Sequence, residues 1–193
     1  HRNLLSDLSR MLWCQKFDAR DAQSGRLAEE AKAVMRALVV GGSGGIGAAF
    51  ASMLAADARF SHVTTWFRSA ADLAGHRTST RRIDLRDEAT IAAAAQELGT
   101  VDLVLIATGL LHDDDMKPEK TWRSIEPATM MRAFEINTIG PSLIAKHVLP
   151  LLPRDRRAVF AALSARVGSS RDNRLGGWSS SRASKAALNQ IIR

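Results

Sequence analysis

The 193 residues carry 27 Lys+Arg against 20 Asp+Glu, a formal charge of +7, with 46% hydrophobic and 24% charged residues. This composition can bury the core of one domain and excludes a disordered chain. The lone cysteine, Cys14, excludes an internal disulfide framework and fits a reducing compartment such as the cytoplasm, and no apolar run reaches the roughly 20 residues of a membrane-spanning helix. The basic excess raises nucleic acid as a partner. Its arginines, however, are scattered among acids and lack the interleaved aromatics of a single-strand binder, so we expect no nucleic acid.

In chain order, residues 1–34 stand apart. Leu4, Leu5, Leu8, Met11 and Leu12 recur at helical spacing, so this extension reads either as a short helical arm or as a disordered segment. A regular alternation follows over residues 35–193. The apolar runs RALVVGG (36–42), SHVTTWFR (61–68), STRRIDL (79–85), VDLVLIATG (101–109) and RRAVFAAL (156–163) predict five strands. Between them, helices are predicted over 45–58, 87–99 and 128–152, the last bent near Gly140 and Pro141, with a final helix opening in GGWSSSRASKAALNQ (176–190). Strand–helix alternation of this kind is the doubly wound α/β architecture, a parallel sheet of the Rossmann type. The fifth strand is expected to be left as an apolar edge, and residues 35–193 to be most of such a domain without its last strands.

The chemistry-bearing features begin at the turn after the first strand. GGSGGIG (41–47) lies between an apolar strand and an alanine-rich helix. Glycines there allow positive φ, a close backbone approach and free N–H groups at a helix start, which is what a dinucleotide pyrophosphate needs. Gly41, Ser43, Gly45, Ile46 and Gly47 are therefore candidate cofactor contacts. A phosphate loop of the Gly-Lys-Ser/Thr kind is excluded, because those residues are absent.

Arg68 ends the second strand, where an acid would grip an unphosphorylated ribose diol. Its guanidinium suits a 2′-phosphate instead, or is a solvated arginine at a strand end. Asp84 is placed either to accept from an adenine amino group or to cap the helix beginning at Asp87. His112 and the run Asp113–Asp114–Asp115 read as an acidic loop, not a metal site. In the last helix Ser181 and Lys185 stand four residues apart, on one face.

Together these motifs resemble the short-chain dehydrogenase/reductase family, and within it the branch of C-factor-like signalling proteins. The resemblance covers Met35 to Arg193. The family's Thr-Gly-x-x-x-Gly-x-Gly turn is matched by Val40, Gly41, Gly45 and Gly47, its Asp-Leu pair by Asp84 and Leu85, and its Asn-Ala-Gly by Ala107, Thr108 and Gly109. Asn137 in FEINTIGP matches the family's helix-borne asparagine, and Ser164 in AALSARVGS its catalytic serine. Lys185 matches the lysine of Tyr-x-x-x-Lys, whose tyrosine is here Ser181.

The resemblance implies an oxidoreductase that moves hydride between NADP(H), or NAD(H), and a small carbonyl or alcohol. It implies that Lys185 holds the nicotinamide ribose, Ser164 orients the substrate oxygen and Asn137 holds a water in a proton relay. It also implies dimers or tetramers built on the long helix and the lysine-bearing helix. The replacement of tyrosine by Ser181 predicts impaired turnover, since a positioned acid is worth 10²–10⁴ in rate. A cofactor-binding or signalling protein without efficient catalysis is the second expectation.

Overall fold

The computed structural model describes residues 13–17, 34–69, 75–114, 116–169 and 176–193. The helical spacing of residues 4–12, and Asp115, lie outside them.

Five strands are parallel: β2 (Met35–Val40), β3 (Phe60–Phe67), β4 (Thr78–Arg82), β5 (Leu103–Ile106) and β6 (Ala158–Ala162). A sixth, β1 (Trp13–Phe17), runs antiparallel, and the order across the sheet is β1-β6-β5-β2-β3-β4. The connections run outward in opposite directions from β2, toward β3 and β4 on one side and β5 and β6 on the other. This is the switch point at which an open parallel sheet leaves a crevice beyond its carboxyl ends. The parallel Rossmann-type sheet expected from the sequence is thus present, with fewer parallel strands among the described residues than the full family set.

Two expectations for the chain's start need correction. Residues 13–17 form a strand, not helix or disorder, and β6 is not left as an edge. Trp13 pairs with Ala162 and Phe17 with Ala158, so β1 supplies partners for backbone groups that an edge would leave open. The leucine spacing ends at Leu12, and WCQKF has no helical stripe of its own to resist this pairing.

The strands alternate their apolar residues between two faces. Leu38 and Val40 point to a core shared with α2 (Glu88–Leu98), α4 (Gly140–Val148) and α5 (Ser179–Ile191) through Ile91, Ile144 and Leu188. Ala37 and Val39 point to the opposite face, where Ala51 of α1 (Gly45–Ala56) covers them. Asp87 caps α2 by accepting from the Ala89 N–H at 3.1 Å. Asp84 therefore does not cap that helix.

The long helix expected over 128–152 is three pieces: α3 (Pro127–Phe134), a π-helical turn (Glu135–Ile139) and α4. Pro141 has no N–H to give the carbonyl four residues back, that of Asn137, so the regular ladder cannot run through. The widened turn that results carries Asn137 itself.

Candidate active site

The glycine turn closes tightly at the end of β2. Gly41 has φ +92, and a Cβ on Gly47 would overlap the Gly41 carbonyl oxygen. Glycine is required at both positions, one for conformation and one for close packing. α1 begins without a side-chain cap and without an acidic residue in its first turn. Its leading N–H groups, with Gly45 and Ile46 among the first residues, are left for an anion.

Beside this turn lies a cleft of about 290 Å³. Gly41, Ser43, Arg68, Asp84, Leu85, Ala107, Thr108 and Gly109 all line it. Gly45, Ile46 and Gly47 do not line it; they lie in the first turn of α1. Asp84 is engaged: Arg86 donates to its carboxylate from the backbone N–H at 2.9 Å and ion-pairs with it at 3.3 Å. These hydrogen bonds, the backbone one first, hold the Asp84 carboxyl below its ordinary range. Arg68 is exposed at the cleft wall and has no ion-pair partner among the described residues. Asp113 is paired with Arg132 of α3 at 2.6 Å, and both line the same cleft.

The candidate catalytic residues gather one step further along the sheet's carboxyl ends. Lys185 is 8% exposed, and its Nζ donates to the Leu163 carbonyl, next to Ser164, at 2.8 Å. A Cβ on Gly109 would stand 3.4 Å from that Nζ and 3.6 Å from Asn137 Oδ1, so the three residues converge. Desolvation alone lowers the Lys185 amine from 10.5 to about 8. Ser164 Oγ and Thr108 Oγ1 are buried without a hydrogen-bond partner among the described residues. Unsatisfied buried hydroxyls are costly; Thr108 is among the residues that line the cleft, and Ser164 follows Leu163, whose carbonyl holds Lys185. Ser181 is buried one turn before Lys185, its carbonyl accepting from Ser184 Oγ at 3.0 Å.

Asn137 is wholly buried and its amide is heavily used. Oδ1 accepts from the Leu110 N–H at 2.7 Å, while Nδ2 donates to the Leu110 carbonyl at 2.9 Å and to Ser184 Oγ at 3.0 Å. Both amide hydrogens are spent, and the side chain clamps the segment after β5. The sequence reading missed Ser184 and Glu119, the latter buried against Ser180 at the start of α5. The available signal for Ser184 was its spacing: Ser180 and Ser184 are one turn apart, a polar pair beside the Ser181–Lys185 pair.

A glycine turn at the switch point, a cleft beyond β2 and β5, and a buried lysine of α5 held against the residue after β6 define a dinucleotide-binding α/β protein of the reductase type. Residues 35–193 match the short chain dehydrogenase family, and the chain belongs to it. Over 169 residues it is 28% identical to the cis-4-hydroxycyclohexanecarboxylate dehydrogenase of Sinomonas cyclohexanicum, covering 82% of this chain and 66% of that one. It is 38% identical over 69 residues to the C-signal protein of Myxococcus xanthus, 36% of this chain and 42% of that one. The chain thus spans about two thirds or less of the length of these relatives. Among solved structures, a short-chain dehydrogenase/reductase from Burkholderia multivorans with bound NADP is 26% identical. It superposes with a TM-score of 0.68, over 82% of this chain and 71% of that one. The carbonyl reductase Sniffer of D. melanogaster, at 20% identity and a TM-score of 0.69 over 81% of this chain and 72% of that one, shares the fold.

Proposed function

We propose that this chain binds NADP(H) and is built for reduction of a small carbonyl, or oxidation of the matching alcohol, with slow turnover because Ser181 stands where an acid is needed. The carrying observation is the convergence of Lys185 Nζ, Gly109 and Asn137 beside a cleft walled by Arg68. The donors fit the cofactor: free N–H groups at α1 suit a pyrophosphate, Arg68 a 2′-phosphate, and the unpartnered Thr108 and Ser164 hydroxyls suit bound polar groups. When bound, NADP(H) supplies or takes up the hydride, the chemistry no side chain provides.

Each residue then has a role that follows from its position. The Gly41–Gly47 turn brings backbone to the pyrophosphate. Lys185, held by Leu163, would hold the hydroxyls of the nicotinamide ribose. Ser164 donates its hydrogen to the substrate oxygen as negative charge builds there. Asn137 fixes Leu110 and Ser184, and so keeps Gly109 and α5 in register.

The proton is the weak point. A serine hydroxyl is a far poorer acid than a phenol and falls a ring's length short of where a phenolic oxygen would reach. With its midpoint near 8, Lys185 can give up a proton near neutral pH, and a water could carry it to the substrate.

A second reading has support of its own. Ser181, together with the similarity to the C-signal protein over 69 residues, favours a C-factor-like binding or signalling protein that keeps the cofactor site without efficient turnover. Dimers or tetramers formed on the long helical stretch from α3 through α4 and on α5 belong to either reading. A calorimetric NADPH titration paired with a turnover assay over small aldehydes and ketones tests both: binding with turnover supports the reductase, binding without it the second reading, and no binding removes both.

A further inference from the structure

We propose that Glu119 is a positioning residue for the active-site helix: its carboxyl group holds the first turn of α5, and thereby sets Ser181 and Lys185 against Gly109 and Asn137. The proposal deepens the reading of Lys185 given above. Glu119 is 4% exposed and belongs to the segment after β5, 61 residues before its partner. The Ser180 N–H points at both carboxyl oxygens, at 3.3 and 3.4 Å, and the Ser180 hydroxyl donates to Oε1. The Glu119 backbone carbonyl accepts from the Trp178 N–H at 2.6 Å.

These bonds meet a specific need. A helix start leaves four N–H groups without partners, and Ser, Thr, Asp or Asn at the N-cap usually serves one of them. Here the N-cap is Trp178, whose side chain offers no acceptor and makes no cap. The cap comes from another part of the chain. The entry to α5 is also strained: Gly176, Gly177 and Trp178 have φ of 64, 68 and 55, left-handed in succession. A bulky residue holds that conformation only where its surroundings over-determine it. A Cβ on Gly177 would lie 2.9 Å from the Glu119 carbonyl oxygen, so the entry is moulded onto Glu119.

The second turn of α5 is anchored separately. Asn137 Nδ2 donates to Ser184 Oγ, and Thr138 Oγ1 donates to the Ser184 carbonyl at 2.8 Å. Ser181 lies between the two anchors, and Lys185 directly follows the second. Without the Glu119 carboxyl the first turn keeps only the Trp178 N–H bond to the residue-119 backbone carbonyl; it loosens, and water reaches the Lys185 amine. That amine reports the change, because burial is the only cause that displaces it. Charged groups on the packed elements, including Arg132, Glu135 and Arg166, do not contribute.

The test follows the Lys185 amine by NMR with isotope-labelled lysine, on the full chain without cofactor, in Glu119→Ala, Glu119→Gln and the remote cap variant Asp87→Ala. The expected midpoint stays near 8 in the parent and in Glu119→Gln, which keeps an acceptor oxygen. It rises toward 10.5, the ordinary value, in Glu119→Ala. Asp87→Ala lowers thermal stability and leaves the midpoint in place. A midpoint unmoved in folded Glu119→Ala, or moved as far in Asp87→Ala, overturns the proposal. If Glu119→Ala does not fold, Ser180→Ala replaces it, with a partial rise expected and no rise overturning. Because no cofactor is present, failure of NADPH to bind would count against the functional reading and leave this result standing.

Discussion

The Lys185 ammonium and the Leu163 carbonyl meet at 2.8 Å inside the protein, in a place where burial has already weakened the amine's hold on its proton. The folded midpoint is about 8, and the ordinary one 10.5. Below about 8 both folded and unfolded chains hold the proton, and the folded state bears the full cost of burying it. Between the two values the unfolded chain binds more protons, so stability rises with pH across this window. Lys185→Met should therefore be more stable than the parent at pH 7, by at most about 3 kcal/mol, less the lost hydrogen bond. The gap should narrow as pH rises from 8 to 10.5. Urea unfolding of both proteins across that range measures it, and a gap that holds constant or widens is the wrong sign. With no tyrosine in the chain, no phenol titrates in the same window.

Two neighbouring glycines should behave oppositely. A Cβ on Gly47 meets the Gly41 carbonyl, whereas one on Gly45 meets nothing within 4 Å. Gly47→Ala should cost roughly 1–3 kcal/mol, the scale of overpacking, and weaken NADPH binding by shifting the turn. Gly45→Ala should be neutral or stabilising by up to about 1 kcal/mol, since alanine is the better helix former. Thermal unfolding of the two single variants separates them, and equal losses would show that the turn is not packed as described.

The parts of this arrangement that could be read from sequence are those with local signals. Apolar runs and glycine punctuation marked β2 to β6, and the spacing within GGSGGIG marked the turn. β1 was hidden because five residues of mixed polarity become a strand only by pairing with β6, far along the chain. The bend at Pro141 was visible, but not that it would take a π-helical form and bury Asn137. Glu119 had no signal at all: nothing nearby marks a glutamate that serves a helix start 61 residues later. The left-handed Trp178 was equally hidden, since bulky residues rarely take that conformation.

Cofactor choice should rest on Arg68. It is exposed at the cleft wall, where a charge-assisted bond to a 2′-phosphate would form. A bond of that type contributes roughly 1.5–3 kcal/mol, so NADPH should bind about tenfold or more tightly than NADH. Arg68→Ala should remove most of that preference and leave NADH affinity nearly unchanged. Calorimetry with both cofactors on both proteins decides it, and equal affinities in the parent would refute the assignment.

Turnover should depend on residue 181. Ser181 is buried on the Lys185 face of α5; Lys185 is held at Leu163 with Gly109 close against it, and the Ser164 hydroxyl has no partner among the described residues. A phenol at 181 would restore a positioned acid one helical turn from the Lys185 amine, which would lower its pKa toward neutrality. Ser181→Tyr should then raise NADPH-dependent reduction of small carbonyls by about 10²-fold or more. Lys185→Met in that background should erase the gain. Equal rates in the parent and the tyrosine variant would mean that a water relay from Lys185 already delivers the proton. A tyrosine variant that binds NADPH yet stays silent would place this chain among proteins that keep the cofactor cleft for binding alone.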